Sequence, residues 1–187
     1  MATTIVLVRH GETDWNRDNR FQGHADTPLN EAGRRQAREL AADLEAERFA
    51  AVYSSPLRRA HETATILAEK RGLRVRPSDA LKEVDVGSWS GLTRSEIELR
   101  DPEGYRRWLA REHGWDDGET YEDLHARVVA GLAEIAAEHP GQTVLAVTHG
   151  GPIRTALSAT NAPDVPSIHN CFVVTLAVRD GKLERAH

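Results

Sequence analysis

Apolar residues follow two patterns along the chain. Short continuous apolar runs predict strands, and apolar residues three or four positions apart predict helices. Residues 3–8 (TTIVLV) form a β-branched run that ends at polar residues, as is typical of a buried strand opening into a loop. Similar runs predict strands over residues 50–54, 73–75, 143–147 and 171–178. Apolar residues three or four positions apart predict helices over about residues 31–47, from residue 56 onwards, over 93–100, 102–112 and 121–138, and after residue 150. This alternation predicts an α/β fold, a three-layer α/β/α sandwich with a mainly parallel central sheet.

Two residues favour particular helix starts within this pattern. Asn30 precedes the first long helical stretch, and its side chain can cap the free N–H groups there. Pro56 suits the first turn of the next helix, because a proline lacks an N–H that would be unpaired in that turn anyway.

The composition is that of a globular protein and excludes several classes of partner. Of the 187 residues, 40% are hydrophobic and 28% are charged, which fits one domain over residues 1–187 with a lid or insertion at about residues 92–120. The net charge of −5 supplies no basic face for nucleic acid, and no apolar run is long enough for a membrane span. We therefore expect a cytoplasmic protein with neither nucleic-acid nor membrane partners, and leave its oligomeric state open.

Cys171 is the only cysteine, which excludes an intrachain disulfide and a cysteine metal cluster. It stands at the beginning of the last predicted strand, so we interpret it as a passive thiol in the core.

Polar residues follow three of the predicted strands. They lie at residues 9–11, 54–59 and 148–150. The carboxyl ends of parallel strands meet at one edge of a sheet, where ligands of open α/β sheets bind, so we expect these residues to converge there.

The residue types at these strand ends suit a phosphate. His10 stands beside Arg9, whose guanidinium matches phosphate oxygens in geometry. Arg58 and Arg59 are adjacent on a predicted helix and point about 100° apart, so only one of them can face the same phosphate. His149 precedes glycines at a helix start, including Gly150, where free N–H groups favour an anion.

Four segments, in this order, resemble the histidine phosphatase (phosphoglycerate mutase-like) superfamily. The first is RHGET at residues 9–13, followed by Trp15 and Asn16. The others are residues 54–63, then residues 81–83 with 87–91, and finally residues 148–150. Together they run from the first strand to about residue 150.

The resemblance implies a role for each matching residue. His10 matches the nucleophile that is phosphorylated, and Glu83 the proton donor of the phosphatase branches. Phosphate-binding positions match Arg9, Arg59 and His149, which leaves Arg58 facing outward. Asn16, Gln22 and Gly23 match positions that line the phosphate or the adjacent substrate pocket.

These residue types make chemical sense for hydrolysis of a small phosphate monoester. A neutral imidazole can attack phosphorus, two arginines and a histidine can neutralise the equatorial oxygens, and a carboxylic acid can protonate the leaving oxygen. Because the positive side chains neutralise the phosphoryl charge, we expect no metal site and no cofactor.

Two other functions are open on the sequence alone. A phosphoglycerate mutase would pass the phosphoryl group to another hydroxyl. The short span between Glu83 and His149, Val86 where mutases tend to have tyrosine, and Gly151 where they tend to have asparagine count against this alternative. The second alternative is a non-catalytic module that only binds a phosphorylated ligand. All positions that match the catalytic residues of the superfamily are intact here, which counts against this alternative.

Several further residues have two interpretations. Residues 101–117 mix aromatic and basic side chains, and form either a lid that selects substrates or an ordinary packed helical excursion. Trp89 is interpreted as an anchor of a turn rather than a substrate contact. The remaining histidines considered are His24 and His113, which could edge the pocket, and His61, His125 and His139, which are interpreted as surface or half-buried residues of helices.

Overall fold

A computed structural model describes residues 1–160 and 165–186. The strands are β1 (Thr3–Arg9), β2 (Ala51–Ser54), β3 (Val75–Pro77), β4 (Thr143–Thr148), β5 (Val173–Arg179) and β6 (Lys182–Arg185). The α-helices are α1 (Asp14–Arg17), α2 (Glu31–Asp43), α3 (Arg58–Ala68), α4 (Arg94–Arg100), α5 (Pro102–Leu109), α6 (Tyr121–Glu138) and α7 (Gly150–Ala159). Short 3-10 turns lie at Glu69–Arg71, Asp79–Leu81 and Gly87–Trp89.

The six strands form one sheet in the order β3-β2-β4-β1-β5-β6. Strands β1 to β4 are parallel to one another, whereas β5 pairs antiparallel with β1 and β6 antiparallel with β5. The predicted mainly parallel sheet is confirmed. The edge strand β6 was not predicted from the sequence.

Successive residues of β1 face opposite sides of the sheet, which places a helical layer on each side. Ile5 and Leu7 belong to a core cluster with residues of α6 and α7, whereas Val6 and Val8 belong to a second cluster with residues of α2 and α3. All four are at most 6% exposed, as expected for a strand buried on both faces. The three-layer α/β/α sandwich is confirmed.

The predicted helix starts have different outcomes. Asn30 caps α2 as predicted, its side chain accepting a hydrogen bond from the Gly33 N–H at 2.8 Å, although α2 ends at Asp43 rather than near residue 47. The placement of Pro56 in the first turn of α3 was wrong. The Leu57 N–H donates to Ser55 Oγ at 3.2 Å, and the resulting turn keeps Pro56 outside a helix that begins at Arg58.

Two strand starts also lie later than predicted. The third strand covers Val75–Pro77 instead of residues 73–75. Cys171 lies in a turn with φ +55°, a left-handed conformation that a strand does not contain, and β5 begins at Val173. The interpretation of Cys171 as the first residue of a strand was therefore wrong. Burial raises the pKa of its thiol to about 11, which agrees with a passive thiol.

No α-helix in the described part of the chain is long and apolar enough to cross a membrane.

Candidate active site

The carboxyl ends of β1, β2 and β4 meet at one edge of the sheet. Arg9 is paired in register with Thr148, and Ser54 with Val147. The chain leaves each strand at this edge, and the His10 N–H continues the ladder by donating to the Thr148 carbonyl at 3.0 Å. The segments that lie far apart in sequence are thus neighbours at this edge.

The His10 side chain is held in one tautomer by its neighbour. Nδ1 lies 2.7 Å from the Gly11 carbonyl oxygen, which can only accept, so Nδ1 carries the proton and Nε2 keeps its lone pair. The residue is 2% exposed. Burial, together with the charges of Arg59 and Arg9, lowers the pKa of His10 well below its usual value. Its imidazole is therefore neutral and suited to nucleophilic attack through Nε2.

Both Arg9 and Arg59 are held by backbone carbonyls on one side of the guanidinium. Arg9 Nη1 donates to the Ile168 carbonyl at 2.7 Å, and Arg59 donates through Nη1 to Ala25 at 2.6 Å and through Nη2 to Gly23 at 2.8 Å. The Nε of each arginine is buried and has no partner among the described residues. Each guanidinium can therefore present its Nε–Nη2 edge to an anion, which is the geometry of bidentate phosphate binding.

Burial also affects the charges of these arginines. It lowers the pKa of Arg59 to about 10, while Glu83 and Asp26 oppose this change. Burial lowers the pKa of Arg9 as well. Arg59 remains a cation at neutral pH, and its low exposure (0%) makes its interaction with an anion stronger than it would be in water. Arg58, by contrast, is exposed.

His149 lies directly behind His10, with its ring centroid 5.1 Å from that of His10. Its Nε2 is 2.8 Å from Ser55 Oγ, and this hydroxyl already accepts from the Leu57 N–H. The Ser55 hydroxyl proton is thus free to bond Nε2, which leaves a proton on Nδ1. Nδ1 is buried without a partner among the described residues, so it can donate to an anion. Burial and the charge of Arg59 lower the pKa of His149 well below its usual value.

The Glu83 carboxylate is fixed at the beginning of α7. Its Oε1 accepts from the N–H groups of Gly151 and Val84, both at 3.0 Å. A Cβ placed on Gly150 would lie 4.0 Å from Oε2 of Glu83 and 3.9 Å from Nε of Arg9, so both atoms border the space beside Gly150. Glu83 is half-buried there and lines the same cleft as the two arginines.

Hydrogen bonds also fix the orientation of two side-chain amides. The Thr13 N–H donates to Asn16 Oδ1 at 3.1 Å, and the Thr27 hydroxyl donates to Gln22 Oε1 at 2.6 Å. Since both amide oxygens are occupied as acceptors, the NH₂ group of each amide remains available to donate. Gly23, with φ +48°, follows Gln22 in a left-handed turn that directs its carbonyl to Arg59.

The predicted residues are thus brought together. Seven line one cleft of about 810 Å³: Arg9, His10, Asn16, Gln22, Gly23, Arg59 and Glu83. His149 lies behind His10, and Gly150 begins α7 beside them. The described residues contain no group of three or more His, Cys, Asp or Glu side chains that could hold a metal ion.

Comparison with known proteins gives the family to which this arrangement belongs. Residues 5–185 match the profile of the Histidine phosphatase superfamily (branch 1). The chain belongs to the histidine phosphatase superfamily.

Three relatives illustrate the similarity. Phosphoserine phosphatase 1 of Hydrogenobacter thermophilus is 38% identical over 163 residues, which cover 86% of this chain and 77% of the relative. The Metal-independent phosphoserine phosphatase of Arabidopsis thaliana is 39% identical over 187 residues, covering 97% and 79%. Among solved structures, Bacillus stearothermophilus YhfR superposes with a TM-score of 0.91 at 35% identity, covering 98% of this chain and 95% of that one.

In this member of the histidine phosphatase superfamily, one contributor to the site lies outside the four matching segments. Asn170 Nδ2 lies 3.1 Å from the His10 carbonyl and 3.2 Å from Asn16 Oδ1, and Ile168 supplies the carbonyl that holds Arg9. These residues belong to an irregular segment before β5, where no hydrophobic spacing or motif indicates a role. Only the polar residues His169 and Asn170 in this segment could have drawn attention to it.

Residues 101–117 divide between the core and the cleft. Trp115 is 2% exposed and packs edge-to-face on Trp89, with ring centroids 5.5 Å apart. Trp108, Arg111 and Trp115 itself line the cleft, and Tyr105 stacks on Trp108. The burial of Trp115 confirms the packing interpretation for that residue, whereas a lid that selects substrates stays a prediction for this segment.

The other residues with two interpretations are placed as follows. Trp89 is buried and its Nε1 donates to Asp101 Oδ2 at 3.0 Å, which confirms a turn anchor. His24 lies beside the site, with Nε2 2.8 Å from the Glu83 carbonyl. His61 is exposed, His113 packs on Tyr121, and His139 is 8% exposed and bonded to the Tyr53 hydroxyl. His125 is an exposed residue of α6, as predicted, and it also lines the cleft.

Proposed function

We propose that the protein hydrolyses a small phosphate monoester through a phosphohistidine at His10. The observation that carries this proposal is the orientation of His10: its Nδ1 is fixed on the Gly11 carbonyl, so Nε2 is the free nucleophile beside two arginine edges. The family and its phosphatase relatives support phosphomonoester hydrolysis.

In the first step, Nε2 of His10 attacks phosphorus in line with the bond to the leaving oxygen. The Nε–Nη2 edges of Arg9 and Arg59, the Nδ1–H of His149 and the amides of Asn16 and Gln22 donate to the three equatorial oxygens, where transition-state charge accumulates. The P–O bond breaks, and its electron pair stays on the leaving oxygen. Glu83, entering this step as the carboxylic acid, transfers its proton to that oxygen and becomes a carboxylate.

In the second step, water attacks the phosphorus of phosphohistidine. The Glu83 carboxylate takes a proton from the water as the O–P bond forms, and the P–N bond breaks with its electron pair returning to Nε2. Inorganic phosphate leaves, and both His10 and Glu83 are restored. The two backbone N–H groups on Oε1 of Glu83 keep the carboxylate in place through both steps.

For residues 92–120 we propose a substrate-binding role rather than a part in phosphate chemistry. Trp108 and Arg111 line the outer cleft, and the stacked pair of Tyr105 and Trp108 gives it a rigid aromatic wall. We also propose that residues 1–187 act as one domain, and that it is located in the cytoplasm, where a single cysteine stays reduced.

Phosphoenzyme trapping and phosphate release test the proposed function together. The wild-type chain in EDTA should release inorganic phosphate from p-nitrophenyl phosphate, and a quenched reaction should contain acid-labile phosphate that is lost in His10→Ala. Activity that disappears in EDTA and returns with one metal would contradict the mechanism. Adding a large excess of a second alcohol distinguishes a mutase, because it would receive the phosphoryl group in preference to water.

A further inference from the structure

The loop that carries Glu83 lies between two short 3-10 turns and is itself irregular. It runs from the turn Asp79–Leu81 to the turn Gly87–Trp89, so it lacks the repeated backbone hydrogen bonds of a helix or strand. A backbone polar group that is removed from water needs another partner, because leaving it unpaired is costly. The partners of this loop's carbonyls therefore determine where the backbone of Glu83 is held.

Arg127, on α6, supplies hydrogen bonds to this loop. Its Nη1 lies 3.0 Å from the carbonyl oxygens of Ala80 and Lys82 and 3.3 Å from that of Asp79. Its Nη2 lies 3.3 Å from the carbonyl oxygen of Glu83 itself. A guanidinium is planar and carries five N–H donors in fixed directions, so one side chain can hold several carbonyls at once. Arg127 thus joins a long helix to four carbonyls at or just before Glu83.

Glu119 holds the other side of the Arg127 guanidinium. Its Oε1 accepts from Nε at 2.8 Å and its Oε2 from Nη2 at 2.7 Å, which is a bidentate pair. The two side chains are only 24% and 15% exposed, so salt and water screen the pair less than they would at the surface. The Glu119 N–H also donates to the Asp85 carbonyl at 2.8 Å. The pair is therefore attached to the loop both before and after Glu83.

Glu83 is consequently held at both of its ends. The Gly151 N–H bonds its carboxylate, whereas Arg127 bonds its backbone carbonyl. Arg127 and Glu119 do not line the cleft, so any effect that they have on the reaction is exerted through the loop. Without the Arg127 contacts the backbone of Glu83 could shift, and even a small displacement of a catalytic group slows a reaction strongly.

We propose that Arg127 is a positioning residue for proton transfer by Glu83, with Glu119 as its charge partner. The inference rests on the proposed function, since it takes Glu83 as the group that protonates the leaving oxygen. The expected effect is selective, because only esters that need this proton depend on the position of Glu83. An ion pair that served stability alone would affect all esters alike.

Single-turnover phosphorylation of the full-length chain by two esters tests this. In Arg127→Lys the ammonium can pair with Glu119 but cannot reach four carbonyls. Phosphorylation by glycerol 3-phosphate should therefore slow at least about tenfold, and that by p-nitrophenyl phosphate less than about twofold. Arg127→Leu combined with Glu119→Leu should show the same selectivity. Removing both charges leaves no unpaired buried carboxylate, so this variant tests the contacts without an added loss of stability.

Arg34→Lys is the matched control. Arg34 is 29% exposed and pairs with Glu62 at 2.6 Å, but it bonds no residue of the Glu83 loop. Both phosphorylation rates should therefore stay near those of the wild type.

Adding Arg127→Lys to Glu83→Gln separates a positioning role from a general one. The two losses should not add for glycerol 3-phosphate, because the group that Arg127 positions is already missing. Equal slowing of both esters by the Arg127 variants, no slowing, or an undiminished further loss in Glu83→Gln overturns the proposal. Absence of phosphoenzyme in the wild type, or equal losses for the two esters in Glu83→Gln alone, would instead refute the proposed function or the role that it gives to Glu83.

Discussion

Gly151 and Glu83 are so close that a side chain at residue 151 would displace the Glu83 carboxylate. The Gly151 N–H donates to Oε1 of Glu83 at 3.0 Å, and a Cβ on the same residue would overlap that oxygen. The absence of a side chain at the start of α7 therefore lets the helix hold the carboxylate by its own backbone. This relationship makes position 151 a direct test of how Glu83 is placed.

Gly151→Ala should displace Glu83 and lower kcat for an alkyl phosphate at least about tenfold, because small misplacements of a catalytic group are costly. Gly150→Ala is the neighbouring control. Its Cβ would meet Arg9 and Glu83 only at 3.9 and 4.0 Å, ordinary contact distances, so a clearly smaller loss is expected. Steady-state kinetics of both variants, with unfolding curves to confirm that they fold, provide the measurement. Equal losses would mean that the Gly151 contact does not position the carboxylate.

The Glu83→Gln variant distinguishes the role of Glu83 from that of His10, because its effect should depend on the leaving group of the substrate. An alkyl oxygen needs a proton as its bond to phosphorus breaks, whereas p-nitrophenolate leaves readily without one. Single-turnover phosphorylation of the variant should fall about a hundredfold for an alkyl phosphate and far less for p-nitrophenyl phosphate. His10→Ala should abolish phosphorylation by both.

The aryl ester should also accumulate phosphoenzyme in Glu83→Gln, since hydrolysis of phosphohistidine loses its base. Equal losses for the two esters would exclude Glu83 as the general acid, and Asp85, the carboxylate nearest in sequence, would then be tested for this role.

The sequence was sufficient to predict the strand ends and most of the residues that meet there. His10 and His149 each follow a run of apolar residues, and such runs identify buried parallel strands without knowledge of their neighbours. Parallel pairing then brings their ends together by geometry alone. The choice of Arg59 over Arg58 required the resemblance to the superfamily. Their adjacent positions on a helix show only that the two side chains cannot both face the site.

The sequence could not predict contacts made by irregular backbone. Ile168 acts through its backbone carbonyl, a group that every residue has. Asn170 lies in a turn, where no periodic hydrophobic pattern marks the position of a side chain. Trp115 was predicted only in part: it lines the cleft, as its basic and aromatic neighbours suggested, but its burial depends on Trp89, which is distant in sequence. Side-chain type does not distinguish a core aromatic from one that contacts substrate.

Asn170→Ala should lower kcat about tenfold, since it removes the donor shared by the His10 carbonyl and Asn16 Oδ1. Asn16 would retain its bond from the Thr13 N–H, so the phosphate site should be loosened rather than lost. Asn170→Asp, which has similar size but no NH₂ donor, should not restore activity. An activity that survives in the aspartate variant would show that the donor is unimportant.

Acidification should destabilise the protein through His10 and His149. The folded-state pKa of each lies well below its unfolded value of about 6.5, so as the pH falls below about 6.5 the unfolded state binds protons that the folded state does not. The free energy of unfolding should fall by up to about 1.4 kcal/mol per pH unit for each histidine, until the folded pKa is reached.

Urea unfolding at pH 7.5, 6.5 and 5.5 measures this slope. His149→Gln should make it shallower, whereas replacement of the exposed His61 should leave it unchanged. Inorganic phosphate should offset part of the loss, because an anion between the arginines and histidines favours their charged forms. If His149→Gln leaves this slope unchanged, the burial of His149 does not contribute to the pH dependence of the unfolding free energy.

Trp108 and Trp115 should respond differently to replacement by alanine, although both belong to residues 101–117, the segment with two interpretations. Trp115 is 2% exposed, packs on Trp89, and donates from Nε1 to the Glu119 carbonyl at 2.8 Å, so Trp115→Ala should cost about 3–5 kcal/mol of unfolding free energy. Trp108 lines the cleft, stacks with Tyr105 and has Arg94 5.3 Å above its ring.

Trp108→Ala should therefore change which substrates are preferred more than it changes stability. The measurement is kcat/KM for a panel of alkyl phosphates, each divided by the value for p-nitrophenyl phosphate, together with urea unfolding of both variants. Trp108→Phe is the matched control, because it keeps an aromatic face for Arg94 and Tyr105 and should preserve most of the ranking. If Trp108→Ala leaves the ranking intact and only lowers stability, Trp108 serves packing alone, and selection must depend on other residues that line the cleft.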